Sequence, residues 1–483
     1  MSALNMPLQP RSRPATWHAW RVGRRRSLGD PRTRAPKGTP SLATQARRLL
    51  WSWWLWAAAA VAFTVLDRNI SAGVSAGCAV LAHLLERRVQ PPRFGLDHDV
   101  AVDAEGFVTT VAGATGAPFI DGNAVEVLHN GDAFYPRMLA DIQQADASIT
   151  IEAYIYWAGE IGARFAAALD ERARAGVRVM VLLDAVGAAD IGDDILHTLE
   201  AHCQIAWYNP LRWRTIGSFN NRTHRKSLIV DGRIAYTGGA GIADHWRGQA
   251  RNAGEWRDVQ VRFAGPAVAS LQSGFAHNWQ RTTGELVSGS PYYPSLETCG
   301  PYALQVVLSS PETGGSNVQT LYYLAIACAR HSVLIANPYF VPDEVGLELL
   351  IEAARRGVAV RVMVSGVRND NRLARANSVA LYGALIEAGI ELHEYDRSML
   401  HHKVMVVDGH WLTIGTTNFD NRSFAHNEES NLSVFDRGLA SDYEQQFALD
   451  LAACQRVTLA AWRARGWRQR LGESVARLFE DQV

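Results

Sequence analysis

Lysine is almost missing from this chain: of its 48 basic residues, only Lys37, Lys226 and Lys403 are lysines. Cysteine is scarce too. Cys78, Cys203, Cys299, Cys328 and Cys454 lie far apart and form no Cys-x-x-Cys pair, which argues against a zinc site and a disulfide framework. That usage fits a reducing compartment. Net charge is zero at pH 7, but it is unevenly placed. Residues 1–48 hold eleven Lys/Arg against the single acid Asp30, so the remainder carries ten more acids than bases. A net-acidic body is a poor match for a polyanion, and no nucleic-acid partner is expected.

Two of the three lysines sit in one pattern, His-x-Lys-x-x-x-x-Asp-Gly. The first copy is His224-Arg225-Lys226 through Asp231-Gly232; the second is His401-His402-Lys403 through Asp408-Gly409. Lysine is a compact point charge and arginine a flat fork, so the two do not substitute for one another at a tight site. The apolar, β-branched residues Leu228–Val230 and Val404–Val407 read as strands. Asp-Gly then signals a tight turn, with return strands over Arg233–Thr237 and His410–Ile414. On a strand, His and Lys two positions apart share a face, about 7 Å apart. The aspartate lies five positions past the lysine and has the opposite parity, so Asp231 and Asp408 are assigned to shaping the turn. Parity likewise turns His402 away and selects His401.

Two such strands brought together offer two histidines and two lysines, a set that suits a phosphodiester. Lysines neutralise the non-bridging oxygens. One histidine attacks phosphorus, while the other protonates the departing alcohol and later deprotonates the incoming one. This chemistry calls for no metal or cofactor.

A long internal repeat supplies the two copies. Strand, helix, strand, helix and strand are expected over Val125–Leu128, Asp132–Ala145, Ser148–Tyr156, Ile161–Ala175 and Val177–Asp184. The order recurs with helices over Val318–Ala329 and Leu347–Arg356 and strands over Val333–Phe340 and Val358–Val364. Gly176 and Gly357 are 181 residues apart, and the motif histidines 177. A period this long is a duplicated domain, and alternating helices and apolar strands imply an α/β fold. Two like halves pair naturally about a pseudo-two-fold axis, which brings both motifs into one site.

Upstream, residues 1–48 read as a disordered basic arm. Leu49–Leu66 is an uncharged 18-residue run opened by Trp51, Trp53, Trp54 and Trp56, long enough to span a bilayer. Ser71–Leu85 is a second uncharged run. Arginines flank both outer ends, which favours a hairpin with its ends, and the catalytic part, on the cytoplasmic side. The domain reading is therefore 1–48 arm, 49–88 transmembrane segment or hairpin, 89–118 linker, and two like halves over 119–300 and 301–483.

These motifs resemble the phospholipase D superfamily, whose mark is two His-x-Lys-x4-Asp motifs, each followed by a Gly-Ser-x-Asn-like loop. Gly415-Thr416-Thr417-Asn418 matches in the second half, with Thr in place of Ser. Gly238-Gly239-Ala240-Gly241 departs from it, with glycine where Ser and Asn are expected. The resemblance implies two homologous α/β sandwich halves behind an N-terminal membrane-anchoring helical segment. It carries over His224, Lys226, Asp231, His401, Lys403 and Asp408 as the motif set and Asn418 as a phosphate contact. It adds Asp258 and Glu429 as acids that orient the histidines, with Glu428 a rival to Glu429, and His224 as nucleophile.

Within the superfamily the chain is similar to bacterial cardiolipin synthases over about residues 120–483. The further marks are Asn209-Pro210-Leu211-Arg212-Trp213, Asn220-Asn221-Arg222-Thr223 and Ile151–Ile155. The reaction so implied joins two phosphatidylglycerols into cardiolipin and glycerol at a bacterial inner membrane. Hydrolysis with water as acceptor, a nuclease and an inactive membrane-tethered scaffold remain as alternatives. The C-terminal run Trp462, Arg463, Arg465, Trp467, Arg468 and Arg470 either rests on anionic lipid or packs its tryptophans on the domain.

Overall fold

The computed structural model describes residues 100–210, 220–311 and 316–477, with a few scattered residues between 59 and 96. The basic arm and, apart from those scattered residues, the runs Leu49–Leu66 and Ser71–Leu85 lie outside the described residues, as do residues 211–219. Among the described residues no helix is long and apolar enough to cross a membrane.

From residue 100 onward the chain forms helix α1 (Glu105–Thr115) and then the first half. That half runs β1 (Ile120–His129), α2 (Gly131–Gln143), β2 (Ser148–Ala153), α3 (Glu160–Arg174), β3 (Arg178–Asp184), α4 (Asp193–Glu200) and β4 (Gln204–Tyr208). It continues with β5 (Arg222–Thr223), β6 (Ser227–Val230), β7 (Ile234–Gly238), β8 (Val259–Ala264) and α5 (Val268–Thr283). The second half runs β9 (Tyr302–Ser309), α6 (Asn317–Cys328), β10 (Ser332–Ala336), β11 (Phe340–Val341), α7 (Glu344–Arg355), β12 (Ala359–Ser365), α8 (Arg372–Glu387) and β13 (Glu391–Tyr395). It ends with β14 (Lys403–Val407), β15 (Trp411–Gly415), β16 (Phe419–Asp420), α9 (Asn421–Ala425), β17 (Asn427–Phe435), α10 (Arg437–Leu451), β18 (Cys454–Arg456), α11 (Leu459–Arg463) and α12 (Trp467–Ala476).

Among the described residues, all strands but β11 and β16 join one 16-stranded sheet. From its centre outward the first half reads β1-β8-β7-β6-β2-β3-β4, and the second reads β9-β17-β15-β14-β10-β12-β13. The two sequences of strands mirror each other, and β1 pairs antiparallel with β9 where they meet. In each half three neighbouring strands run parallel (β2, β3, β4; β10, β12, β13), and the motif strand runs antiparallel beside them; in the second half β18 adds an antiparallel edge strand beyond β13.

Both faces of this sheet are covered, which is why its strands read as unbroken apolar runs. Successive residues alternate between cores: Val179, Val181 and Leu183 of β3 face α2, α3 and α4, while Met180 and Leu182 face a central core. In β14, Val404 and Val406 enter that central core, and Met405 and Val407 pack under α6, α7 and α8. The central core draws side chains from both halves, with Leu271 and Phe275 of α5 and Phe447 of α10 among them.

Helix α1 corrects the linker reading of residues 89–118. Phe107 and Val111 are fully buried in the core of the second half, and Phe107 meets Trp411 edge-on with ring centroids 6.4 Å apart. Its apolar face is one narrow stripe among Gly, Ala and Thr, too thin to show against a Gly- and Asp-rich background. The strand expected over Val333–Phe340 also stops early, at Ala336, and Phe340 instead opens the small pair β11–β16.

Both Asp-Gly pairs make the hairpin turns expected of them. Asp231 and Gly232 have φ of 54° and 62°, and Asp408 and Gly409 have φ of 54° and 63°. Positive φ at both central residues is the turn whose twist matches a hairpin. The Asp231 carboxylate accepts hydrogen bonds from the N–H groups of Asp146, Ala147 and Ser148 at 3.0, 2.7 and 2.9 Å. Asp408 does the same for Arg330, His331 and Ser332 at 2.8, 2.7 and 2.8 Å. Each aspartate thus ties its hairpin to the start of the neighbouring parallel strand.

Candidate active site

Each histidine enters the site by pairing with the other half of the molecule. β5 runs parallel to the start of β17, with Arg222 opposite Asn427 and Thr223 opposite Glu428. The His224 N–H then donates to the Glu428 carbonyl at 2.9 Å. In the second half, Arg257 bridges to Leu400, and the His401 N–H donates to the Arg257 carbonyl at 2.8 Å. Glu428 and Arg257 are the residues immediately before the acids Glu429 and Asp258. The backbone that delivers each histidine therefore also delivers the acid it meets.

The acids pair crosswise. His224 Nδ1 lies 2.9 and 3.1 Å from the two carboxylate oxygens of Glu429. His401 Nδ1 lies 2.8 Å from Asp258 Oδ2. A carboxylate accepts, so each Nδ1 carries the proton and each Nε2 is left for chemistry. The acids are themselves held. Trp246 Nε1 donates to Asp258 Oδ2 at 2.7 Å, and Thr416 Oγ1 donates to Glu429 Oε2 at 2.5 Å. Asn427 donates to Glu429 Oε1 at 3.2 Å. Both carboxyls are buried, which alone would raise them. For Asp258 the hydrogen bond and charge of His401, with Lys403, outweigh burial, and for Glu429 His224 and Lys226 do so; both lie below the usual carboxylate range.

The lysines share this buried space. Lys226 Nζ donates to the His224 carbonyl at 3.0 Å and stands 5.4 Å from the centre of the Tyr154 ring. Tyr154 in turn packs edge-on against His224, with ring centroids 5.2 Å apart. Lys403 Nζ donates to the His401 carbonyl and lies 3.2 Å from His401 Nε2. Burial, then the charge of Lys403, brings Lys226 down to about 7; burial brings Lys403 down to about 8. His224 falls to about 4, chiefly through burial, with Lys226 and Lys403 adding to it. His401 is lowered by burial and by Lys403. The charge of Lys403 acts on Lys226, His224 and His401, so the four groups are neighbours in one buried site. Two protonated lysines there suit an anion.

Not every expected residue is gathered here. His224, Lys226, His401, Lys403, Asp258 and Glu429 come together, while Asp231 and Asp408 sit at the far ends of their strands on the turns described above. Asn418 lies three residues past Gly415, which is paired with Lys403; its buried side-chain oxygen has no hydrogen-bond partner among the described residues. Gly241 offers no counterpart, because a Cβ there would lie 2.8 Å from Cβ of Ile155. At Gly239 a Cβ would lie 2.1 Å from the Asp258 carboxylate, so glycine at that position is what admits the acid.

Glu428 turns away from the histidines to Arg225, at 2.7 Å, and Arg281, at 3.3 Å. His402 packs edge-on against Tyr443. Trp246 and the buried pair Arg257–Asp450, at 2.9 Å, have no counterpart in the sequence reading. Thr416 and Tyr154 fall within the motif runs quoted above, but the runs assign neither of them its contact with Glu429 or His224.

Two His-x-Lys motifs meeting on a mirrored α/β sheet, each histidine backed by an acid, define a protein of the phospholipase D class. Residues 138–250 and 323–451 match the family model described as "Cardiolipin synthase, PLD-like domain", and the chain belongs to this family. It is 33% identical over 357 residues to a cardiolipin synthase of Geobacillus kaustophilus (strain HTA426), which covers 73% of this chain and 71% of that one. It is 30% identical over 404 residues to the major cardiolipin synthase ClsA of Bacillus subtilis (strain 168), covering 83% of each. Among solved structures, the phosphatidylserine synthase of Haemophilus influenzae Rd KW20 shares the fold, with a TM-score of 0.58 at 14% identity over 77% of this chain and 96% of that one.

Proposed function

We propose that this protein is a phosphatidyltransferase of the cardiolipin synthase type, joining two phosphatidylglycerols into cardiolipin and glycerol. The observation that carries the proposal is the crosswise arrangement of two histidine–acid pairs over two buried lysines. In this reading the phosphodiester of the first lipid lies between Lys226 and Lys403, whose charges offset those building on the non-bridging oxygens. His224 Nε2, neutral and aligned by Glu429, attacks phosphorus. The bond to glycerol breaks, and His401 supplies the proton that the departing oxygen needs. The phosphatidyl group stays on His224 until a hydroxyl of the second phosphatidylglycerol attacks phosphorus. His401 takes the proton of that hydroxyl, and the P–N bond breaks. Atoms balance over the cycle, and both histidines return to their starting state.

His224 is assigned as nucleophile on the family resemblance, and burial keeps it neutral as that role requires. His401 is preferred as acid–base because a bound anion beside Lys403 favours its protonated form. The buried reacting groups favour a lipid hydroxyl over bulk water as acceptor. Asn418, with its free amide oxygen, is assigned to the substrate's head group. The uncharged runs Leu49–Leu66 and Ser71–Leu85 are assigned to a hairpin that anchors the enzyme in the bacterial inner membrane, catalytic part on the cytoplasmic side.

Purified protein given phosphatidylglycerol in mixed micelles is expected to yield cardiolipin and glycerol in equal amounts. His224→Ala and His401→Ala should each abolish this. Phosphatidic acid as sole product would replace transfer with hydrolysis, and turnover of nucleic acid but not lipid would sink the lipid reading altogether.

A further inference from the structure

The last described helix, α12, is amphipathic the wrong way round. Its buried residues are Glu473 and Ala476, and it packs on α8. Its large apolar side chains point outward instead: Trp467, Leu471 and Val475 are 70%, 58% and 50% exposed. They are spaced i, i+4, i+8, so they form a single stripe, and at about 100° per residue that stripe lies opposite Glu473 and Ala476. Trp462, in α11 just before, behaves differently. Its Nε1 donates to the Val379 carbonyl at 2.8 Å, and its ring lies 3.8 Å from the Arg465 guanidinium. One tryptophan thus packs on the domain, and the other stands in solvent.

The exposed charges of α12 itself have one sign. Between Arg463 and Ala476 the only acid is Glu473; it is buried and held by Arg465 at 3.0 Å. Arg468 and Arg470 are exposed and fall on either flank of the stripe. The Arg468 guanidinium lies 5.4 Å from the centre of the Trp467 ring. An apolar face edged with arginines and carrying a tryptophan is suited to the boundary between anionic head groups and acyl chains. The helix is also connected to the site. It rests on α8, which begins two residues after Asp370, and the charge of Asp370 acts on both His401 and Lys403.

We propose that the outward face of α12 (Trp467, Leu471 and Val475, flanked by Arg468 and Arg470) docks on the surface of an anionic lipid bilayer. The choice of occupant rests partly on the lipid-substrate reading above and independently on the charge match. Docking here holds the catalytic part against the leaflet that contains its substrate, in addition to any N-terminal anchor.

Tryptophan quenching by brominated lipids tests this on the full chain. Wild type and Trp467→Phe are titrated with brominated phosphatidylglycerol vesicles and with brominated phosphatidylcholine vesicles, and their difference isolates Trp467. The Trp467 component should be quenched by the anionic vesicles. Its apparent affinity should be at least about tenfold weaker for neutral vesicles, and similarly reduced in Arg468→Gln/Arg470→Gln.

Absence of quenching by either vesicle overturns the proposal. So does equal affinity for both, or a Trp467 component already blue-shifted before lipid is added, the result if Leu49–Leu66 or a second copy of the chain covers the face. Leu471→Ser/Val475→Ser should form cardiolipin in micelles within about twofold of wild type yet fall well below it on vesicles. Quenching without any cardiolipin in micelles would leave docking standing and remove the transferase reading. Cardiolipin without quenching would do the reverse.

Discussion

Lysines with pKa values near neutrality make this site sensitive to alkali in an unusual range. In the free enzyme, Lys226 at about 7 and Lys403 at about 8 are charged below those values and lose charge above them. His224, at about 4, must be neutral to attack. The profile of kcat/KM on phosphatidylglycerol should therefore rise from about pH 4 and fall in stages, first as His401, lowered from its ordinary value, loses the proton it must donate, and then through about 7 to 8 as the lysines lose charge, since kcat/KM reports the free enzyme. A bound phosphodiester raises the lysines, so the alkaline limb of kcat should lie higher. In Lys226→Arg the rate should drop, but the part of the limb due to residue 226 should vanish, because arginine stays charged. An unshifted alkaline limb in that variant would assign it to another group.

The acids belong to the same scale. Asp258→Asn and Glu429→Gln should each lower kcat by about 10²–10⁴-fold with little change in KM, in the way loss of a histidine-orienting carboxylate does elsewhere. Circular dichroism should confirm that both stay folded.

Among elements, the motif hairpins separate chemistry from support. Lys226 and Lys403 stand at one end of β6 and β14, and Asp231 and Asp408 at the other. Asp231→Ala removes the acceptor of three backbone N–H groups and puts a less tolerant residue at φ 54°. The expected loss is about 2–4 kcal/mol of stability, read as a lower thermal midpoint, while kcat per folded molecule is unchanged. A collapse of kcat at full stability would return Asp231 to the catalytic set.

Much of this scale was legible in advance. Apolar runs bounded by Asp-Gly gave the hairpins, and His-x-Lys parity put both side chains on one face, although regular pairing starts only at Ser227 and Lys403. Helix α1 was hidden because Phe107 and Val111 face partners that lie about 200 to 300 residues away in the chain. The shortening of β10 was hidden because Pro338, in the run Asn337-Pro338-Tyr339, sits inside an otherwise apolar stretch.

For the whole molecule, the duplication was readable from Gly176 and Gly357, but the exchange between halves was not. Nothing near Asp258 or Glu429 says which histidine each will meet; that follows from β5 pairing with β17 and from Arg257 bridging to Leu400. The same seam contains the Arg257–Asp450 pair, with side chains 2% and 11% exposed. Arg257→Met strands a buried carboxylate and should cost about 3–5 kcal/mol, seen as a lower urea midpoint. Arg257→Met/Asp450→Leu should recover most of that loss. Failure to recover would mean that Arg257 acts mainly through its bonds to Asn130, at 3.2 Å, and the Asp258 carbonyl, at 2.9 Å.

The crosswise pairs also bear on how this chain can change over generations. A gene duplication ordinarily frees one copy to drift while the other keeps the task. Here a substitution near Glu429 is felt at His224, and one near Asp258 is felt at His401, so neither half is a spare. The two copies are held to a shared history, and tolerated changes in residues 222–224 should be matched by changes in residues 426–429.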